Sequence, residues 1–197
     1  MKKILGFDCS STTIGYCVLN WDEISNQISF ESADYFKPPK DGNLIERIAK
    51  TRDAIRKIIE DVEPDYIGVE EIISFMKGKS TAQTIIMLTT FNRMICLLAY
   101  DWLARSPELF NVMSIRHGLK MNKVLPKKEE MAGLICQHLG ISELKYFAEK
   151  TKTGKLRVEM EDKADGCATA LFYAFVLSGK IVRKIKKPKT KPKKKAK

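Results

Sequence analysis

Between Lys3 and Asn20 the chain has little conformational freedom. An apolar run, Ile4, Leu5 and Phe7, ends at one carboxylate, Asp8. A block of small and hydroxylated residues follows (Ser10, Ser11, Thr12, Thr13, Gly15), and a second β-prone run starts at Tyr16. This pattern predicts two antiparallel strands joined by a tight turn, with an acid held at a strand end. A carboxylate removed from water needs a compensating partner. A ring of further acids around a metal ion supplies one.

The same pattern recurs. Asp65-Tyr-Ile-Gly-Val-Glu-Glu reads as a short strand leading to Glu70 and Glu71. Alternation puts these two on opposite faces, so only one can point with Asp8, and Glu70 is expected to be that one. Between the two acid-bearing strands, residues 24 to 35 predict a third strand. Asn43 then caps a helix with one apolar face from Leu44 to Val62, stopped by Pro64. A long helix is expected from about Ser80 to Ala104, serving as core or as a subunit interface. A strand from Phe110 to Ile115, a basic loop from Arg116 to Lys128 and a helix from Pro126 to Leu139 follow. Residues 140 to 160 are polar and read as a mobile loop. The last helix, 161 to 177, opens with Asp162 and Asp165, which lie on one helix face, and continues with small residues suited to close packing on a sheet.

The expected class is therefore α/β. Three meander strands and later alternating units predict a mixed sheet of about five strands with helices on both faces, the ribonuclease H-like organisation. The chain divides into a folded domain at 1–179 and a disordered Lys-rich tail at 180–197. The net charge of +11 resides in that tail, which holds 11 of the 35 basic residues and no acid, leaving 24 basic against 24 acidic residues before it. Such a tail predicts an arm that seeks polyanions. Five cysteines without a CxxC pair, and no secretory leader read at the N-terminus, point to a reducing, cytoplasmic setting. No membrane partner is expected, since the most apolar stretch, 94 to 100, is too short to cross a bilayer.

Asp8, Glu70, Asp162 and Asp165 thus stand out by position. Hard oxygen donors select Mg²⁺ or Mn²⁺, and two such ions roughly 3.5 to 4 Å apart would serve phosphodiester hydrolysis. Three blocks, ILGFDCSSTTIGYCVL (4 to 19), PDYIGVEEIISF (64 to 75) and DKADGCATALFYA (162 to 174), resemble the RuvC-like Holliday junction resolvases in content and order. The resemblance implies a homodimer with two metal ions in each site, which nicks opposed strands of a four-way DNA junction symmetrically. The four acids take the family's catalytic and metal-binding positions. It also implies phosphate support from a lysine near the fourth strand's loop, for which Lys128 is the nearest match, with Lys120 and Lys123 as further DNA contacts. Lys77 and Lys79 occupy a basic loop with the same expectation.

Two departures stand out. Cys9-Ser10 replaces the family's Pro-Gly, and Ile73 replaces a junction-inserting phenylalanine for which Phe75 is the candidate substitute. Branched substrates other than the four-way junction, such as flaps and forks, form the alternative. An actin-like ATPase or kinase is a more distant one, because its two lobes need a longer chain. His138 is expected to be structural, and His117 to lie in the basic loop.

Overall fold

A computed structural model describes residues 1–10, 12–72 and 81–182. Its sheet has five strands: β1 (Lys2–Cys9), β2 (Ile14–Trp21), β3 (Ile28–Phe36), β4 (Tyr66–Glu71) and β5 (Glu108–Asn111), in the order β3-β2-β1-β4-β5. The β1–β2 and β2–β3 pairs are antiparallel, whereas β1–β4 and β4–β5 are parallel. Helices α1 (Leu44–Val62) and α2 (Ala82–Leu103) cover one face, and α3 (Val112–Leu119), α4 (Met131–Leu139) and α6 (Val158–Leu177) cover the other. A one-turn helix, α5 (Glu143–Tyr146), precedes α6. The mixed sheet with helices on both faces agrees with the class expected from the sequence.

Alternation along β1 and β4 sorts the two cores. Leu5, Phe7, Ile67 and Val69 pack with Ile55, Ile59, Ile95 and Leu98 of α1 and α2. Ile4 packs with the α6 face, alongside Ala170, Leu171 and Phe172. Two glycines set how close α6 comes. A Cβ on Gly6 would stand 2.4 Å from the Ala170 amide nitrogen, and one on Gly15 would stand 1.9 Å from the Asp162 carbonyl oxygen. Neither glycine has a positive φ, so the requirement is close approach rather than backbone conformation.

Local signals account for most boundaries. Asn43 accepts from the Glu46 amide at 3.0 Å while Glu46 accepts from the Asn43 amide at 3.1 Å, a reciprocal cap for α1. Glu63, left-handed at φ 52°, ends that helix ahead of Pro64.

Several expectations are corrected. The strand expected from Phe110 to Ile115 ends at Asn111, whose side chain accepts from the Met113 amide at 2.9 Å and starts α3, which takes up the rest of the expected strand and runs into the expected basic loop. The helix expected from Pro126 begins as a 3₁₀ turn at Lys128–Glu130 and becomes α-helical at Met131. The expected mobile loop at 140–160 contains α5, a hairpin bridged at Lys150 and Leu156, and the first turn of α6. Helix α2 is long and apolar enough to cross a bilayer by length and composition. Here Phe91, Asn92, Ile95, Leu98 and Ala99 are buried inside the fold. After α6 the Ile181 amide donates to the Phe175 carbonyl at 3.0 Å and Lys180 lies over the Phe175 ring.

Candidate active site

The acids come together through register. Phe7 pairs with Val69 across β1 and β4, so Asp8 and Glu70, each one residue further, stand level at the same sheet end. Both then face α6, because Phe7 and Val69 face α1 and α2. Glu71 takes the other face and is exposed. Opposite Asp8 on the other side is Gly15, whose missing side chain admits the first turns of α6. Asp162 and Asp165 lie there, three residues apart and so on one helix face.

Carboxylate oxygens of Asp8, Asp162 and Asp165 lie within 4.8 Å of one another. Glu70 lies outside that three-way group but inside its field. Burial, followed by the charge of Asp165, raises its pKa to about 8. Asp8 is only 9 % exposed and is pushed well above the usual carboxylate range by burial, then by Glu70, Asp165 and Asp162. Burial lifts Asp162 to about 6, opposed by Lys128 and by the Ser10 hydroxyl, which donates to its Oδ2 at 3.1 Å. Asp165 is raised as well, again by burial first.

Four carboxyl groups buried this closely favour protonation because each opposes the ionisation of the next. A divalent cation removes that opposition. The donor set also fits one: the oxygens are hard, and three of them gather within 4.8 Å of one another.

The surrounding residues divide into those the sequence pointed to and those it did not. Lys128 places its ammonium 3.5 Å from Asp165 and 3.3 Å from Glu161. Burial alone would lower its pKa, but Asp165, Asp162, Glu161 and Asp8 outweigh it and keep the group charged. Lys120 and Lys123 lie in the exposed segment before the 3₁₀ turn, and neither forms an ion pair with a described acid. Lys120 borders an open groove of about 600 Å³ shared with Met121, Val124, Leu125 and Gln137. Phe75, Lys77 and Lys79 lie outside the described residues. His138 bonds the Leu119 carbonyl at 2.7 Å and stacks edge-on against Phe175, which ties α4 to α3 and α6; His117 is exposed.

Sequence reasoning missed three contributors. Arg116 belongs to α3, and its charge acts on both Glu70 and Asp165. Ser10, in the turn where Pro-Gly was expected, also accepts from the Thr13 amide at 2.9 Å, so one hydroxyl closes the turn and steadies Asp162. Asn92 of α2 is fully buried and donates to the Glu70 carbonyl at 2.9 Å, fixing the strand end that carries the acid. The visible signal for Asn92 was a polar residue in the middle of an apolar helix, which must find a partner.

This sheet order, with acids at the ends of neighbouring central strands and on the final helix, defines a ribonuclease H-like nuclease. The model of the family "Crossover junction endodeoxyribonuclease RuvC" matches residues 4–103, and the chain belongs to that family. Its sequence is 21 % identical, over 147 residues, to the crossover junction endodeoxyribonuclease RuvC of Fusobacterium nucleatum, a match covering 72 % of this chain and 70 % of that protein. Among solved structures, RuvC of T. thermophilus in complex with a Holliday junction substrate aligns with a TM-score of 0.66 at 17 % identity, covering 89 % of this chain and 94 % of that one. The yeast mitochondrial Holliday junction resolvase aligns at 0.63 and 15 % identity, over 89 % and 78 %. The family match ends before α6. Membership sets aside the actin-like alternative.

Proposed function

We propose that this chain is a metal-dependent endonuclease that resolves four-way DNA junctions by paired, symmetric nicks. The observation that carries the proposal is the convergence of Asp8, Asp162 and Asp165 within 4.8 Å, with Glu70 beside them, at one end of the sheet. In this reading the four acids would hold two divalent ions, Mg²⁺ or Mn²⁺, and these would supply Lewis acidity to phosphodiester hydrolysis. The chain's own residues do the rest. Asp8 and Glu70, on rigid strand ends, set one side of the site, and the α6 acids set the other. Ser10 holds the Asp162 carboxylate in one orientation, and Lys128 presents a charge to the phosphate oxygens. A water oxygen bonds to phosphorus as the P–O3′ bond breaks, the proton passes to the departing oxygen by way of solvent or an acid, and the products carry 5′ phosphate and 3′ hydroxyl ends.

Paired cutting requires two sites. The outer face of α2 leaves Leu97 60 % and Tyr100 51 % exposed beside Arg93, Leu109 and a cavity of about 350 Å³. A homodimer formed through this face brings two sites to one junction. The basic residues from 180 onward serve as a sequence-independent DNA arm, in the reducing compartment that holds the substrate DNA.

The test is cleavage of a synthetic four-way junction with Mg²⁺ or Mn²⁺. Wild type is expected to yield ligatable nicks at symmetric positions, and Asp162→Asn to bind without cutting. Equal cutting of linear duplex of the same sequence would overturn the junction assignment.

A further inference from the structure

Between α5 and α6 the chain makes an excursion that neither the acid site nor the core requires. Lys150 and Leu156 form an antiparallel bridge. The Thr151 amide donates to the Lys155 carbonyl at 2.7 Å, the Gly154 amide donates to the Thr151 carbonyl at 2.9 Å, and the Arg157 amide donates to the Glu149 carbonyl at 3.0 Å. Gly154 turns the tip at φ 81°, a conformation that favours glycine. The result is a closed hairpin spanning 149–157. Its base is fixed on one side by Phe147, fully buried, and on the other by Leu156, which packs on the α6 core.

Its tip buries nothing. Residues 148 to 155 are all exposed, and Lys150, Lys152 and Lys155 form no ion pair with a described residue. The one acid of the hairpin, Glu149, is held by Arg157 at 3.1 Å. Ordering a backbone costs conformational entropy, and here the ordered segment presents three uncompensated cations and no exposed apolar surface. Charge complementarity therefore selects a polyanion rather than a protein or a lipid interior.

Position narrows the choice further. Arg157 immediately precedes α6, and Asp162 lies five residues on, about 7.5 Å along the helix axis. The hairpin reaches at most about 13 Å from Arg157 to its tip. Chain length thus keeps the lysine backbone within about 20 Å of Asp162, a span of up to about six nucleotides of one strand at 3.4 Å each.

We propose that the 149–157 hairpin is a phosphate clamp for the duplex arm leading into the acid site, with Lys150, Lys152 and Lys155 contacting the backbone within about six nucleotides of the scissile phosphate. This rests on the reading of the acid cluster as a DNA-cleaving site. Contacts of this kind add affinity and fix the approach of the arm without reading sequence.

The experiment compares the full chain with Lys150→Gln/Lys152→Gln/Lys155→Gln and with the corresponding charge reversal to Glu. Melting temperature monitors folding. Binding of a four-way junction and of a linear duplex is measured against salt in chelator, and hydroxyl-radical footprints are taken on the junction. Each phosphate contact contributes about 0.9 to the slope of log affinity against log salt, so the Gln variant should lose about 2–3 from that slope on both DNAs. Protection of that arm up to about six nucleotides from the cut should disappear, with the cut position unchanged. Wild-type slope and footprint in both variants would overturn the clamp while leaving the nuclease reading intact. Loss of slope on linear duplex by a protein whose wild type cuts no junction would uphold the hairpin as a DNA contact and overturn the junction reading instead.

Discussion

Gly15 offers a sharp test of how the acid site is assembled. It pairs with Asp8 across β1 and β2, and a Cβ there would lie 1.9 Å from the Asp162 carbonyl oxygen and 2.2 Å from its carbonyl carbon. Both are backbone atoms, so no side-chain rotation relieves the clash. Restoring an ordinary contact of 3.4 Å moves the first turn of α6 outward by about 1.5 Å. Asp162 and Asp165 travel with it, whereas Asp8 and Glu70 stay on the sheet.

A Mg²⁺ ion requires nearly ideal octahedral distances of 2.0–2.1 Å, so a displacement of that size breaks the shared coordination. Overpacking costs typically 1–3 kcal/mol of stability. Misplacement by about 1 Å can cost on the order of 100-fold in rate. Gly15→Ala should therefore remain folded, with a lowered melting temperature, while losing at least tenfold in Mn²⁺ affinity by calorimetry and about 100-fold in junction cutting. Gly118→Ala is the control: its Cβ would press on the Phe172 ring and the Ile181 side chain, away from the acids. It should lose stability without losing Mn²⁺ affinity. Equal metal affinity in Gly15→Ala and wild type, or equal losses in the two variants, would refute the argument that this contact sets the spacing of the acids.

Three further outcomes are expected. With Glu70 raised to about 8 and Asp162 to about 6, against ordinary values of 4.5 and 3.8, the metal-free fold binds more protons than the unfolded chain between about pH 4 and 8. Its stability is greatest at the acid end of that window and falls, by on the order of a few kcal/mol, as pH rises through the folded-state values. Divalent metal should reverse the fall and bind more tightly as pH rises; melting curves in chelator that stay flat or climb from pH 5 to 8 would contradict this. Asn92→Leu keeps the branching of the side chain but strands the Glu70 carbonyl, so it should cost about 1–3 kcal/mol and weaken Mn²⁺ binding by about 10–100-fold; unchanged metal affinity at reduced stability would leave Asn92 a purely structural residue. Leu97→Glu on the outer face of α2 should give a monomer by sedimentation that nicks only one strand per encounter, and a dimer that still cuts in pairs would exclude that face as the interface.

Much of this was legible in the chain because it depends on short-range rules. The apolar run ending at Asp8, its echo at Glu70, the Asn43 cap and the three-residue spacing of Asp162 and Asp165 are periodicity and capping signals carried by neighbours in sequence. Where local propensity competed with a cap, as at Asn111, the pattern misled: Val112 to Ile115 look β-prone but form the first turn of α3. The hairpin at 149–157 was hidden for a related reason, since its closure depends on hydrogen bonds and on anchoring by Phe147 and Leu156 rather than on apolar alternation.

Residue type and order along the chain by themselves determined an α/β fold with a carboxylate at each of three element ends. Only the tertiary structure decided that Asp8 and Glu70 share the face on which α6 rests, that Gly15 lets the helix acids come within 4.8 Å of Asp8, and that Arg116, Ser10 and Asn92 attend the site. The physical reason is that register, close backbone approach and electrostatic field are properties of residues distant in sequence. They exist only once the sheet has paired and the last helix has docked on it.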